Sequence, residues 1–128
     1  MKYTLTVIII AFMSMQTIFG QETSQNQKQS FETRYNKKLI IIKATQDIIV
    51  DVVKQLKDIH FEKNKAAKEL VTEAFVTLNE ASEYKEKYLK YAKEKNWEAA
   101  YNFAEKYWQS QVRSADLLFR AKKILKTE

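Results

Sequence analysis

Apolar residues recur with heptad spacing along three stretches of the chain, and the first stretch shows the pattern most clearly. Its repeating positions are Tyr35, Ile42, Ile49 and Leu56, with a second row at Thr45, Val52 and Ile59. A row with this spacing lies on one face of a helix and packs against a neighbouring helix. Several of these side chains are β-branched, which favours strands, but the sustained repeat outweighs that preference. The pattern predicts a helix over about residues 31–59.

The second and third stretches repeat the heptad spacing, with small residues on the second seam and aromatic residues on the third. The seam positions are Ala67, Ala74, Ala81 and Tyr88 in the second stretch and Trp97, Ala104, Gln111, Leu118 and Leu125 in the third. Alanines on a seam allow a neighbouring helix to approach closely. These seams predict helices over about residues 65–92 and 97–125.

Asparagines mark both breaks between the predicted helices. Asn64 lies in the break at residues 60–65, and Asn96 lies in the break at residues 93–96. Asparagine is a good helix N-cap and also tolerates the left-handed conformation at a helix end. From Phe31 onward the chain has neither glycine nor proline, on which hairpin turns rely, so a sheet of several strands is disfavoured.

These observations predict an all-α fold, an elongated antiparallel three-helix bundle with coiled-coil-like packing. Each helix would be about 40 Å long at 1.5 Å per residue, and short loops join antiparallel neighbours. Such a bundle has a thin core, so a homodimer would add buried apolar surface. The alternative is that one break is absent, so that two helices fuse into a long hairpin that must dimerise.

The first part of the chain, residues 1–20, has the layout of a secretory signal peptide. Lys2 precedes an apolar run at residues 5–13, and a more polar stretch then ends at Gly20, a small residue suited to cleavage. We expect cleavage after Gly20 and a secreted or periplasmic mature protein. A retained membrane anchor is the alternative, although a spanning helix needs about 20 predominantly apolar residues. Residues 21–30 are polar throughout and predict a flexible leader.

Composition narrows the range of functions. The chain has no cysteine, which excludes disulfides, thiol catalysis and iron–sulfur clusters. Its net charge is +6, and lysine supplies most of the positive charge. Because arginine is favoured for planar recognition of phosphates and bases, this balance and the predicted export argue against a nucleic-acid partner. The charge indicates solubility and some attraction to anionic surfaces.

No group of residues has the spacing of a catalytic, cofactor or metal site. His60 is the only histidine and lacks the partners of a His-Glu-x-x-His metal motif, so we expect it to be a solvated loop residue. The carboxylates of the second predicted helix alternate with lysines at helical spacing, which is typical of an ion-paired surface. The sequence therefore predicts a protein that is not an enzyme and has no cofactor or metal.

Lys85 and Gln111 lie on otherwise apolar seams. A polar group that is buried there needs a partner. We expect the Lys85 ammonium to reach water at the edge of the bundle, and we expect Gln111 to set the helix register, as single polar seam residues can. A ligand contact is the alternative for both residues.

Helical geometry divides the aromatic residues into two groups. Trp97, Tyr101 and Trp108 lie within a narrow arc of the third predicted helix, which predicts that they face the core. Other rings lie on a flank of the second or third helix. These flank residues are Phe103, Tyr107, Tyr84 and Tyr91. We take these four as the candidate interaction surface, because exposed aromatic patches mark binding sites.

One segment, residues 88–108, resembles a single helical hairpin of a tetratricopeptide repeat. The matching positions are Tyr88, Ala92, Asn96, Trp97, Glu98, Ala100, Phe103 and Ala104. The usual glycine before the aromatic residue and the closing proline are missing, and no second copy follows at a spacing of about 34 residues. Such repeats need at least three copies to bury a core, so the resemblance implies a shared hairpin geometry and not family membership.

We expect an exported, non-catalytic helical bundle that mediates protein–protein interaction, with either an unknown partner or a second copy of itself. The predicted export, the all-helical pattern and the lack of catalytic residues motivate this expectation. The alternative is an amphipathic protein that binds lipids or a membrane surface. Heptad seams that contain alanine favour helix partners over lipid.

Overall fold

A computed structural model describes residues 30–126 of the protein. Three long helices account for most of this range: α1 at Phe31–Asp58, α2 at Lys65–Lys93 and α3 at Trp97–Lys126. A short 3-10 turn, Phe61–Lys63, lies between α1 and α2. The helices pack against one another as an all-α three-helix bundle, which confirms the predicted fold class, and each helix ends within one residue of the predicted position.

The predicted signal peptide, its cleavage site and the leader up to residue 29 lie outside the described residues. Ser30, the last residue of the predicted leader, belongs to the fold because its side-chain oxygen accepts a hydrogen bond from the Thr33 backbone N–H at 3.2 Å. Between residues 30 and 126, no helix contains an apolar stretch long enough to cross a membrane.

Both asparagines cap helices. The Asn64 side chain accepts a hydrogen bond from the Ala67 backbone N–H at 2.9 Å, and Asn96 accepts a longer bond at the start of α3. The left-handed conformation occurs at other loop residues, with φ of 54° at His60, which precedes the 3-10 turn, and 62° at Lys95, which precedes Asn96. Each asparagine therefore serves as an N-cap, and the residue that reverses the chain is a different one.

Helix α3 makes most of the contacts between helices in the bundle. It packs closely against both other helices, whereas α1 and α2 approach each other closely at few positions. Helices α1 and α3 run parallel, because Tyr35 near the start of α1 contacts Trp97, and Gln55 near its end contacts Lys122. Helix α2 runs in the opposite direction between the two loops.

The core consists of two clusters of buried apolar residues. The aromatic cluster contains Tyr35, Ile41, Ile42, Tyr88, Ala100, Ala104 and Trp108. The aliphatic cluster contains Ile49, Val52, Leu56, Ala67, Val71, Ala74, Ala115, Leu117, Leu118, Phe119 and Ala121. The aromatic cluster lies at the end of the bundle where α1 begins and where α2 is joined to α3.

A layer of buried polar side chains separates the two clusters: Thr45 on α1, and Gln111 and Ser114 on α3. The Gln111 amide donates to the Ile42 carbonyl oxygen at 3.2 Å, which ties α3 to α1. The Ser114 hydroxyl donates to the Ala74 carbonyl oxygen at 3.0 Å, which ties α3 to α2. Gln111 is fully buried at its seam position, and this bond gives its amide a partner on α1.

The Trp108 indole joins the same layer. Its Nε1–H donates to the Thr45 hydroxyl oxygen at 3.2 Å, and that hydroxyl donates to the Ile41 carbonyl oxygen at 2.8 Å. Thr45 is fully buried, and its hydroxyl oxygen is the acceptor that allows the polar edge of the Trp108 ring to be buried.

Three other seam positions differ from one another. Lys85 is exposed, as expected of a lysine whose ammonium reaches water. The prediction that Ile59 extends the first seam is wrong. Helix α1 ends at Asp58, and 45% of the Ile59 surface is exposed. Lys122 is buried, and its ammonium donates to the Gln55 side-chain oxygen. Burial lowers the Lys122 pKa, and the nearby Lys126 charge adds to this effect while Asp51 opposes it.

The Trp108–Thr45 bond predicts a cost for Thr45→Val. This variant keeps the volume but leaves the buried indole N–H without its acceptor, so we expect the free energy of unfolding to fall by about 1–2 kcal/mol. Urea unfolding followed by circular dichroism measures the change. The control is Thr72→Val, because Thr72 is exposed and its hydroxyl also donates to the carbonyl one turn earlier. An equal loss in both variants would contradict the role given to the indole.

Candidate interaction surface

Three of the four predicted surface residues form one stack of rings between α2 and α3. Tyr84 and Tyr91 lie two turns apart on α2, and Phe103 of α3 lies against both. The Phe103 and Tyr91 rings are nearly parallel, at 7° and 5.6 Å between centroids, and the Phe103 and Tyr84 rings are 6.3 Å apart at 30°. All three side chains are half-buried. We call Tyr84, Phe103 and Tyr91 the aromatic stack.

Tyr107, the fourth predicted residue, lies one turn from Phe103 on α3 and packs against the aromatic cluster of the core. Its ring packs edge-on against Tyr88, with centroids 5.8 Å apart, and Tyr88 in turn packs edge-on against Tyr35 at 6.1 Å. Tyr88 and Tyr35 are buried, whereas Tyr107 is half-buried. The surface rings therefore continue into the aromatic cluster of the core.

Two exposed lysines cover the aromatic stack. The Lys87 and Lys106 ammonium groups each lie 5.2 Å from the centroid of the Phe103 ring, and Lys106 is also 5.9 Å from the centroid of Tyr84. At these distances a cation is attracted to the face of a ring. The sequence analysis did not identify these lysines, although both lie one helical turn from a ring of the stack.

A groove continues from the stack along α2 and α3. Its volume is about 370 Å³, and its lining includes Tyr84, Val76 and Ser110. An ion pair joins its two sides, with 3.5 Å between Arg113 Nη2 and Glu73 Oε1. Both partners of the ion pair are largely exposed, so it contributes little to stability. The α2–α3 face thus combines half-buried rings, an exposed valine and solvated charged groups.

The three residues predicted to face the core have different degrees of burial. Trp108 is buried, as predicted, but Trp97 and Tyr101 are only half-buried. Trp97 packs against Tyr35, and Tyr101 packs against Phe31 at 6.1 Å. These two rings face α1 near its first residues, where the bundle ends and less protein surrounds them.

An ion pair that the sequence analysis missed connects α1 to α3. The Lys38 ammonium lies 2.6 Å from Glu105 Oε2, and only 11% of the lysine side chain is exposed. The same ammonium lies 4.3 Å from the centroid of the Trp108 ring. Lys38 is therefore held by a carboxylate and an aromatic face, neither of which is near it in sequence.

Burial has raised the pKa of several tyrosines around this surface. The pKa of Tyr88 is raised to about 12 by its burial, with contributions from Tyr107 and Tyr35. Burial also raises the pKa of Tyr35, Tyr101 and Tyr107. Neutral phenols are thus favoured throughout the aromatic end of the bundle.

Metal-ligating side chains are not clustered in the described part of the bundle. His60 is exposed in the loop between α1 and α2, away from the aromatic stack. Among residues 30–126, no group of three or more histidine, cysteine or acidic side chains could hold a metal ion. The α2–α3 face offers ring edges, a groove lined mostly by polar and charged side chains, and ammonium groups.

Comparison of the chain with known protein families, with characterised proteins and with solved structures gives no match.

The raised tyrosine pKa values predict that the protein unfolds in alkali. A phenol with a higher pKa in the folded state stabilises the fold below about pH 10, and that contribution is lost as pH rises towards 12. Lys122 has the opposite effect on stability, because its pKa is lowered in the folded state and its deprotonation adds stability as the pH rises to about 10.5. The stability lost through the four tyrosines exceeds this gain from one lysine. We expect the circular dichroism at 222 nm to be lost above pH 10 together with the rise of tyrosinate absorbance.

Tyr88→Phe tests the largest single contribution to this effect. The variant cannot ionise at position 88, so at pH 12 we expect it to retain about 2 kcal/mol more of its neutral-pH stability than the wild type does. Tyr84→Phe is the control for removal of one tyrosine hydroxyl from the same helix. Identical alkaline unfolding of Tyr88→Phe and the wild type would contradict the proposed linkage.

Proposed function

We propose that this protein is a non-catalytic helical bundle that binds a protein partner, or a second copy of itself, through the α2–α3 face. The observation that carries the proposal is the aromatic stack with its two covering lysines. Aromatic side chains are enriched at the centres of protein interfaces and contribute much of their binding energy. Half-buried rings on an exposed face can contact a partner while the bundle stays folded.

The aromatic stack is already ordered before any partner binds. Tyr84 and Tyr91, two turns apart on α2, both pack against the Phe103 ring, and all three residues lie on long helices. A partner therefore does not have to immobilise these side chains, which lowers the entropic cost of association. The groove beside Tyr84 extends the contact area towards Val76 and the polar side chains that line it.

Charge indicates the kind of partner. Lys87 and Lys106 place two ammonium groups beside the rings, and the whole chain has a net charge of +6. Such a surface attracts an acidic protein surface and speeds its encounter. The signal-peptide layout of residues 1–20 supports export, so we expect this partner outside the cytoplasm, either in a periplasm or in the surroundings of the cell.

Attraction to an anionic membrane surface is the second candidate function, because the same lysines and half-buried rings could contact lipid headgroups. The apolar seams of all three helices are turned towards one another, which favours a protein partner. Flotation with vesicles of phosphatidylcholine and phosphatidylglycerol at low and high salt tests this candidate. Binding that disappears at high salt would support it, and absence of binding at low salt would remove it.

A photo-crosslinking amino acid at position 84 tests the main proposal in the native host. We expect one discrete adduct, whose mass identifies a second copy or another protein. The same amino acid at position 40 is the control, because Ile40 is 67% exposed on α1 and lies outside the α2–α3 face. Absence of an adduct from position 84, or the same adducts from both positions, would count against the proposal.

Phe103→Ala is expected to weaken the captured complex about tenfold to a hundredfold, because Phe103 is the central ring of the stack and such residues cost about 1.5–3 kcal/mol when truncated. Phe75→Ala is the matched control, since Phe75 is 44% exposed on α2 and belongs to neither the stack nor the groove. Titration of the identified partner by calorimetry measures both affinities. Equal affinities for the two variants would exclude the stack as the binding site.

A further inference from the structure

Helix α1 is attached to the bundle mainly through α3, and its polar links to α3 run along most of its length. These links are the Lys38–Glu105 ion pair, the Trp108–Thr45 bond, the Gln111–Ile42 bond and the Lys122–Gln55 bond. Helices α2 and α3 form an extensive hairpin of their own. An α1 helix from another copy could therefore make every one of these contacts without any change in the α2–α3 hairpin.

The joint between α1 and α2 is compatible with a continuous helix. His60 adopts the left-handed conformation, with φ of 54° and ψ of 54°, and its side chain forms no capping hydrogen bond. This conformation is unfavourable for a residue other than glycine. Residues 59–64 contain neither glycine nor proline, so nothing in their composition forbids α-helix. Straightening the joint would remove the unfavourable backbone conformation at His60.

The seams of α1 and α2 are also in phase for such a helix. Leu56 is a buried seam residue near the end of α1, and Ala67 is the first buried seam residue of α2. At 3.6 residues per turn, the step from Leu56 to Ala67 is just over three whole turns, so the two would lie within about 20° of each other. A fused helix would therefore carry both apolar stripes along one side, with Lys63 of the joint lying between them.

We propose that α1 and α2 can fuse through residues 59–64, and that α1 then packs against α3 of a second copy. Each fused helix would place its α2 part on its own α3 and its α1 part on the partner's α3. Because both stripes point to one side, two antiparallel fused helices can hold both α3 helices on that side. This exchange is a domain swap, in which the intramolecular α1–α3 contacts become intermolecular.

The swapped dimer would present two α2–α3 faces. Neither the aromatic stack nor its lysines take part in the α1–α3 contacts, so both stacks would remain available to partners. The inference goes beyond the proposed function, because the exchange uses the α1–α3 contacts and leaves the α2–α3 face free. Variants of the α1–α3 contacts and of the joint test the exchange and leave the aromatic stack unchanged.

Charge reversal of the Lys38–Glu105 pair distinguishes a swapped dimer from a dimer in which each α1 stays on the α3 of its own chain. K38E alone and E105K alone place like charges together in the monomer and in the homodimer. In a swapped heterodimer of the two variants, one interface pairs the two substituted side chains, which again have opposite charges, and the other interface contains the original pair. Both repulsions are thereby removed. After the two variants are mixed in equal amounts, unfolded and refolded together, we expect native mass spectrometry to show a ratio of heterodimer to total homodimer about tenfold above the ratio that random pairing gives.

The Glu73–Arg113 pair supplies the matched control, because it joins α2 to α3 within one chain in both the monomer and the swapped dimer. A mixture of E73K and R113E should therefore show only the random proportion of heterodimer. A random proportion, or no dimer, in the K38E and E105K mixture would overturn the proposal. Phe103→Ala in both chains should leave the enrichment unchanged, so failure of the aromatic surface and failure of the swap are distinguishable.

Substitution of the joint provides a second test that leaves the ion pair intact. His60→Gly makes the left-handed turn more favourable, so we expect the dissociation constant of the dimer to rise about tenfold by sedimentation equilibrium. Lys95→Gly is the control, because Lys95 has the same backbone conformation in the other loop, which stays folded in the swap. An unchanged constant in His60→Gly, or an equal rise in both variants, would overturn the proposal.

Discussion

The register of this bundle depends on a buried polar layer halfway along α3. A heptad seam of apolar residues can slide along its neighbour by one heptad and still bury similar surface, but a buried amide or hydroxyl needs a specific partner. Gln111 and Ser114 donate to backbone carbonyl oxygens, which recur at every residue, so these bonds tie α3 to α1 and α2 at this level without selecting one register. The Trp108 indole selects the register, because its acceptor at the same level is the hydroxyl of Thr45, a threonine that no other seam position of α1 carries.

The aromatic end of the molecule follows from that register. Once α3 is fixed, Phe103 lies between Tyr84 and Tyr91, and Tyr107 lies against Tyr88. The rings then form a continuous series from the buried cluster to the surface, with ammonium groups where the series meets water. The same helix thus sets the stability of the core and the shape of the proposed binding face.

Several features of the site could not be predicted because they join residues from different helices. Helical spacing predicted that Phe103, Tyr84 and Tyr91 lie on the flanks, but it did not show that α2 and α3 would bring these flanks together. The same limit applies to Lys38, whose carboxylate and aromatic partners lie on α3. Ile59 illustrates a local failure, since its place in the heptad predicted burial and the helix ends before it.

The sequence by itself determined the number of helices, their bounds and the side of each helix that is buried. These properties follow from heptad spacing, from asparagine caps and from the absence of glycine and proline, all of which act over a few turns of one chain segment. Only the tertiary structure decided which seams meet, which polar side chains pair across them and which rings reach the surface. Those outcomes depend on the relative position of helices far apart in sequence, which no local pattern specifies.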